Sequence, residues 1–235
     1  MVILDATRVK EYLRLLSVSR ADVFGAAGHR FLLNPALTEA EVSAFERRHN
    51  IHLPADYRHF LTAVGNGGAG PFYGVFPLGK IDRAGAQLDS WSEADGFMGL
   101  LSQPFPLTDS WNDLRGEPPD ELAETDEHEY WTQVEQFEAR YFNSSLVNGA
   151  MPICHEGCAL RIWLVLTGGQ AGYLWHDGRA DRTGLTPLRL TDGSPVTFSG
   201  WYTEWLENAL KQAGPAEDHS VSRSGHAAAD PSWKA

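Results

Sequence analysis

Near the start of the chain apolar residues recur at helical spacing. Val9, Tyr12, Leu13 and Leu16 fall three and four residues apart within residues 6–16 and predict an amphipathic helix. A loop is expected from there to Leu37. Thr38 and Glu41 then form a capping-box pair, in which the threonine hydroxyl accepts from the third helical amide and the glutamate reaches back to the cap amide. Leu37 and Val42 flank the pair as a hydrophobic staple, so a second helix is predicted to run to about Arg48. Pro54 suits the first turn of a third helix, with Tyr57, Phe60, Leu61 and Val64 on its apolar face. Gly65 is expected to end that helix in the left-handed cap conformation.

Phe72–Leu78, between Pro71 and Pro77, reads as a strand. The middle of the chain is broken by Pro and Gly before Tyr130, Val134, Phe137 and Tyr141 return to helical spacing. Past Gly149 the pattern becomes short runs rich in Ile, Val, Leu, Trp and Tyr, separated by Gly-Gly and Asp-Gly turns. Strands are predicted over Met151–His155, Leu160–Thr167, Ala171–His176 and Pro187–Leu190. A closing helix follows over Phe198–Leu210, with Phe198, Tyr202, Trp205, Leu206 and Leu210 as its apolar members. The rest is Ala, Ser, Gly, Pro and charge, too polar to bury a face, and is expected to be disordered. The expectation is one α+β domain over residues 1–211, with its core in 30–210, and a tail over 212–235.

At 235 residues the chain is long enough to bury a core without disulfides or metal. Two cysteines give no disulfide framework and fit a reducing compartment. The opening apolar run stops at Asp5, unlike a signal peptide, and no stretch approaches the ~18 apolar residues that span a bilayer. A cytoplasmic protein with no membrane contact is expected.

Net charge is −12, which disfavours binding to phosphate backbones, and no nucleic-acid partner is expected. Fifteen acidic residues against Arg83 and Arg115 lie between Asp82 and Glu138, so this stretch carries −13 and the rest of the chain +1. Such a block either solvates a surface or docks a basic partner. For docking, the candidate residues are Asp120, Glu121, Glu124, Asp126, Glu127 and Glu129 with Trp131, within an insert over about 115–140.

Chemistry-bearing motifs are sparse. Gly65-Asn66-Gly67-Gly68-Ala69-Gly70 matches G-x-G-x-x-G, but follows a helix and leads through Pro71 into a strand, the reverse of a dinucleotide fingerprint. Cys154-His-Glu-Gly-Cys158 lacks the second ligand pair of a structural zinc site, so both cysteines are expected to be free, largely buried thiols flanking a Glu-Gly turn. No G-x-S-x-G elbow occurs, and no single acid/base pair stands out. No catalytic, metal or cofactor site is expected.

Leu53-Pro-Ala-Asp-Tyr-Arg-His-Phe-Leu61, followed by the run from Gly65 to Leu78, closely resembles the signature of the SUKH superfamily, which takes in fungal cell-wall synthesis regulators and bacterial toxin-immunity proteins. Pro152–Cys158, Trp163–Gly168, Gly172–Trp175 and Trp201–Leu206 extend the resemblance over roughly residues 30–210. The acidic insert around Pro118–Arg140 and the tail lie outside the pattern. The resemblance implies helices packed on a mixed, largely antiparallel sheet. It also implies a non-enzymatic immunity protein, a monomer or weak homo-oligomer, that silences a cognate toxin with a basic surface, often a nuclease. A regulatory or scaffold protein of the same fold, with a cellular partner unrelated to toxins, is the alternative. Under this resemblance the motif residues are scaffold. Gly65, Asn66, Gly67, Gly68, Pro71 and Gly74 shape the turn, and Tyr57, Tyr73, Trp175 and Trp205 belong to the core.

Overall fold

Helix α1 (Ala6–Ser19) turns Val9, Leu13 and Leu16 inward, and Asp5 Oδ1 caps it by accepting from the Thr7 and Arg8 amides. A computed structural model describes residues 3–19, 21–82, 88–93 and 98–214. The expected tail beyond Gly214, with Arg83 and Asp95 of the acidic block, lies outside the described residues. The expected loop before Leu37 contains a one-turn helix, α2 (Ala26–His29). Helix α3 (Glu39–His49) begins on the Thr38–Glu41 capping box and ends at Asn50 in a left-handed conformation.

Pro54 stands just before α4 (Ala55–His59) as its cap, one place earlier than expected. The helix continues as a wider π turn over Phe60–Val64, closed by the Gly65 amide donating to Phe60 O at 2.9 Å. Gly65 has φ 176°, extended rather than left-handed, so the cap expected there does not form. Phe72–Leu78 is not a strand either. The chain reverses over Pro71–Gly74, with Phe72 at φ 52° and Gly74 at φ 98°, and Gly68 and Val75 exchange both backbone hydrogen bonds across the turn. A short antiparallel ribbon, β1 (Lys80–Asp82) with β2 (Leu88–Ser90), follows.

The acidic stretch folds as two helices, α5 (Asp120–Thr125) and α6 (Glu127–Tyr141). Sequence periodicity marks only the second, because α5 is short and has no buried face. The main sheet runs β3 (Ala150–Gly157), β4 (Leu160–Val165), β5 (Leu174–Asp177) and β6 (Leu185–Pro187) in that spatial order. Every described pairing is antiparallel, so the mixed sheet expected from the resemblance gives way to a meander. The last strand lies earlier than predicted: Pro187 offers no N–H to the ladder, and Leu190–Gly193 is a turn. At the β3 edge the Phe76 amide donates to Ile153 O at 2.7 Å, and at the β6 edge Trp111 and Leu185 exchange two hydrogen bonds of 2.8 Å.

Helix α7 (Phe198–Ala213) packs on α1 and α4, burying Phe198, Trp201, Tyr202 and Leu206. Asp56 links these helices. It is 2% exposed, and its Oδ2 accepts from the Ser199 amide at 3.0 Å in the first turn of α7, where the helix dipole favours a carboxylate. Trp163, Trp175, Trp201, Tyr57 and Phe60 fill the centre. The molecule is thus a single α+β domain. No helix among the described residues is long and apolar enough to cross a membrane.

Three further expectations change. Cys154 is buried on β3, where burial pushes its thiol up, but Cys158 is exposed. The β3–β4 turn is Cys158-Ala159, both at positive φ (48° and 65°), rather than Glu-Gly. Tyr73 is 48% exposed, not core: it stacks on His155 at 4.6 Å and receives the Phe24 ring edge-on at 5.2 Å. Trp205 is half-buried at the margin of the core.

Candidate functional site

The α5–α6 hairpin begins after the buried Pro118, with Pro119 as the cap of α5. Asp120 and Glu121 occupy the first turn of α5. Asp126 caps α6, accepting from the Glu129 amide at 3.1 Å, and Glu127 and Glu129 lie in that helix's first turn. Carboxylates at these places stabilise their helices through the unsatisfied amides and the dipole. Glu124 and Glu138 lie in last turns, where the dipole opposes them, so helix stability does not account for their charge.

All eight carboxylates from Asp120 to Glu138 are exposed, and no Lys or Arg interrupts them. Among the described residues none of the eight forms an ion pair. Trp131 is 55% exposed, with Glu127 and Glu135 one turn to either side of it on the same face of α6. Tyr130 meets its edge at 5.3 Å. Among the aromatics interleaved in the acidic block, Trp91 is buried and Trp111 and Tyr130 are half-buried. The structure therefore places Asp120, Glu121, Glu124, Asp126, Glu127, Glu129 and Trp131, all exposed, on two successive helices.

The far end of α6 is fastened tightly. Phe137 and Tyr141 are buried, and Tyr141 Oη donates to Asn112 Oδ1 at 2.7 Å. The Arg182 guanidinium lies 4.9 Å from the Phe137 ring centre and 5.6 Å from that of Tyr141, and it pairs with Glu117. Beneath it Arg179 is buried against Asp177, held by Nε at 2.8 Å and Nη2 at 2.7 Å, while Trp163 Nε1 donates to the same carboxylate at 3.2 Å. Asp113 bridges Arg115 and Arg140, and the Arg115 hydrogen bond holds its carboxyl well below the usual range. Sequence reading missed these arginines, because their partners lie 25 or more residues away or only two residues off in an irregular segment.

The glycine turn is a separate matter. Asn66 Oδ1 accepts from the Leu78 amide at 2.8 Å and its backbone carbonyl accepts from Asn34 Nδ2 at 3.0 Å, so this residue joins two segments the sequence keeps apart. A Cβ on Gly67 would lie 2.5 Å from Val75 O, and one on Gly68 2.5 Å from Leu32 O. Pro71 and Gly74 belong to the same turn, and Tyr57 and Trp175 are buried.

No curated protein and no solved structure gives a significant match to the chain. The family model described as SMI1 / KNR4 family (SUKH-1) matches residues 36–185, which include the Leu53–Leu61 segment, the glycine turn, the α5–α6 hairpin and most of the sheet. With a match over more than half its length, the chain belongs to the SMI1 / KNR4 family (SUKH-1).

Proposed function

We propose that this protein is a non-enzymatic binding module, an immunity protein that neutralises a cognate toxin by direct docking, and that the α5–α6 hairpin is the element that docks. The carrying observation is the set of eight exposed carboxylates, none in an ion pair among the described residues, around the exposed Trp131. A nuclease toxin presents cations to phosphates, and an exposed array of carboxylates competes for the same place. Exposed charges act mainly on the encounter rate, by roughly 10–10³-fold, and lose that effect as salt shortens the Debye length toward ~8–10 Å. Trp131, flanked by Glu127 and Glu135, supplies the desolvated anchor that slows dissociation. Family membership supports the scaffold's role in partner binding, and the anchored base of α6 supports presentation of a fixed rather than a floppy surface.

The test is binding kinetics against the product of the neighbouring toxin gene. Reversing Glu121, Glu124, Glu127 and Glu129 to Lys should leave the fold intact, lower the on-rate by at least about tenfold, and flatten its salt dependence. An unchanged on-rate and salt slope in a folded variant would remove the hairpin from the interface.

A further inference from the structure

We propose that the groove between α1 and the Val23–Leu33 segment is a second docking site, and that its occupant is an acidic amphipathic helix of a partner protein. Two adjoining cavities, of about 660 and 280 Å³, share Ser17 and Phe31 and so form one continuous groove. Its floor is core: Leu13, Val23 and Phe31 are each at most 8% exposed. Its walls are apolar yet open, with Val18 71%, Phe24 58% and Leu32 57% exposed. Large apolar side chains left open together, with charge at their margin, mark an interaction surface.

The groove's length and charge choose the occupant. Lys10, Leu13, Arg14, Ser17 and Val18 line it at i, i+3, i+4, i+7 and i+8, one face of α1 about 12 Å long, enough for two turns of a second helix. Lys10, Arg14 and Arg30 line it against Asp22, a positive spot on a chain whose net charge is −12. Arg14 is paired with Glu11, and Lys10 Nζ donates to Ala63 O. Arg30 is exposed and has no ion pair among the described residues. Arg30 and Phe31 both hold a left-handed backbone, φ 50° and 56°, a turn that leaves the guanidinium in solvent while the next ring enters the floor. Apolar side chains from the incoming helix meet Val18, Phe24 and Leu32, and its carboxylates meet Arg30. This preference is opposite in sign to that of the α5–α6 hairpin and does not rest on the immunity reading.

The experiment is amide chemical-shift mapping on the ¹⁵N-labelled full chain. The probes are a designed amphipathic peptide of about fifteen residues, with Leu on one face and Glu on the others, and its counterpart with Lys for Glu. The acidic peptide should shift amides within Lys10–Leu33 saturably and leave Asp120–Glu138 unmoved. Arg30→Glu should weaken it at least about fivefold, and Leu32→Asp should abolish it. Both side chains are exposed, so melting curves of the variants should match the parent. No saturable shift in Lys10–Leu33, equal binding of the Lys counterpart there, or full binding by both variants overturns the proposal. Charge reversal in the hairpin leaves this readout untouched, so the two readings fail separately.

Discussion

Gly65 and Gly67 stand two residues apart in one turn and are glycine for different reasons. Gly65 is extended, and what it avoids is contact: a Cβ would sit 2.8 Å from Asn34 O and 3.0 Å from Leu33 Cβ. Gly67 avoids both contact and strain, since its φ is 75° and its missing Cβ would fall 2.5 Å from Val75 O. Gly193 carries the strain alone, with φ 84° and open space around it. Gly193→Ala should therefore cost about 1 kcal/mol, and Gly67→Ala on the order of 2–4 kcal/mol, read from urea midpoints at constant m. Equal costs at the two positions would mean that the Val75 contact relaxes freely. The Cys158-Ala159 turn runs against the same rule, using two non-glycine residues where Asn-Gly is favoured; nothing in the structure explains that choice.

At the scale of elements, legibility followed the regularity of the signal. The capping box of α3, the apolar stripes of α1, α6 and α7, and the β-rich C-terminal half were readable because each repeats a period over several residues. Phe72–Leu78 misled because alternating aromatics between prolines also suit a reverse turn, and Tyr73 spends its ring on His155 at the surface. The acidic half of the candidate site was legible from charge alone. Its anchorage was not, because Arg179 and Arg182 take their roles from tertiary partners on α6 and the Asp113–Glu117 segment. This anchorage gives the element-scale prediction. Arg182→Ala should remove the planar cation from above Phe137 and Tyr141, at about 1–2 kcal/mol, and Arg182→Lys should not restore it. Hydrogen exchange should then quicken along Glu127–Tyr141 while the β3–β5 amides keep their protection. Uniform loss of protection would show that α6 opens only with the whole domain.

For the whole molecule, one source of acid sensitivity is a histidine held neutral by burial. Burial pulls the His29 imidazole from 6.5 down to about 4, and its Nδ1 accepts from the Phe31 amide at 3.0 Å, which the protonated ring cannot do. The unfolded chain takes up a proton near pH 6.5 and the folded chain only near pH 4. Stability is therefore level with respect to this group above pH 6.5 and falls as the pH drops from 6.5 to 4. His29→Leu should make the slope of unfolding free energy shallower across that window; an identical slope would place the acid sensitivity elsewhere. The four-stranded sheet has two edges, β3 and β6. The Trp111–Leu185 pairing lies at one of those edges. An unpaired edge strand is a template on which identical chains aggregate. Because the segment leading into the acidic hairpin also closes β6, excision of that segment uncovers such a template. Substitutions along the hairpin leave this pairing in place, while wholesale loss of the segment exposes the β6 edge to precipitation.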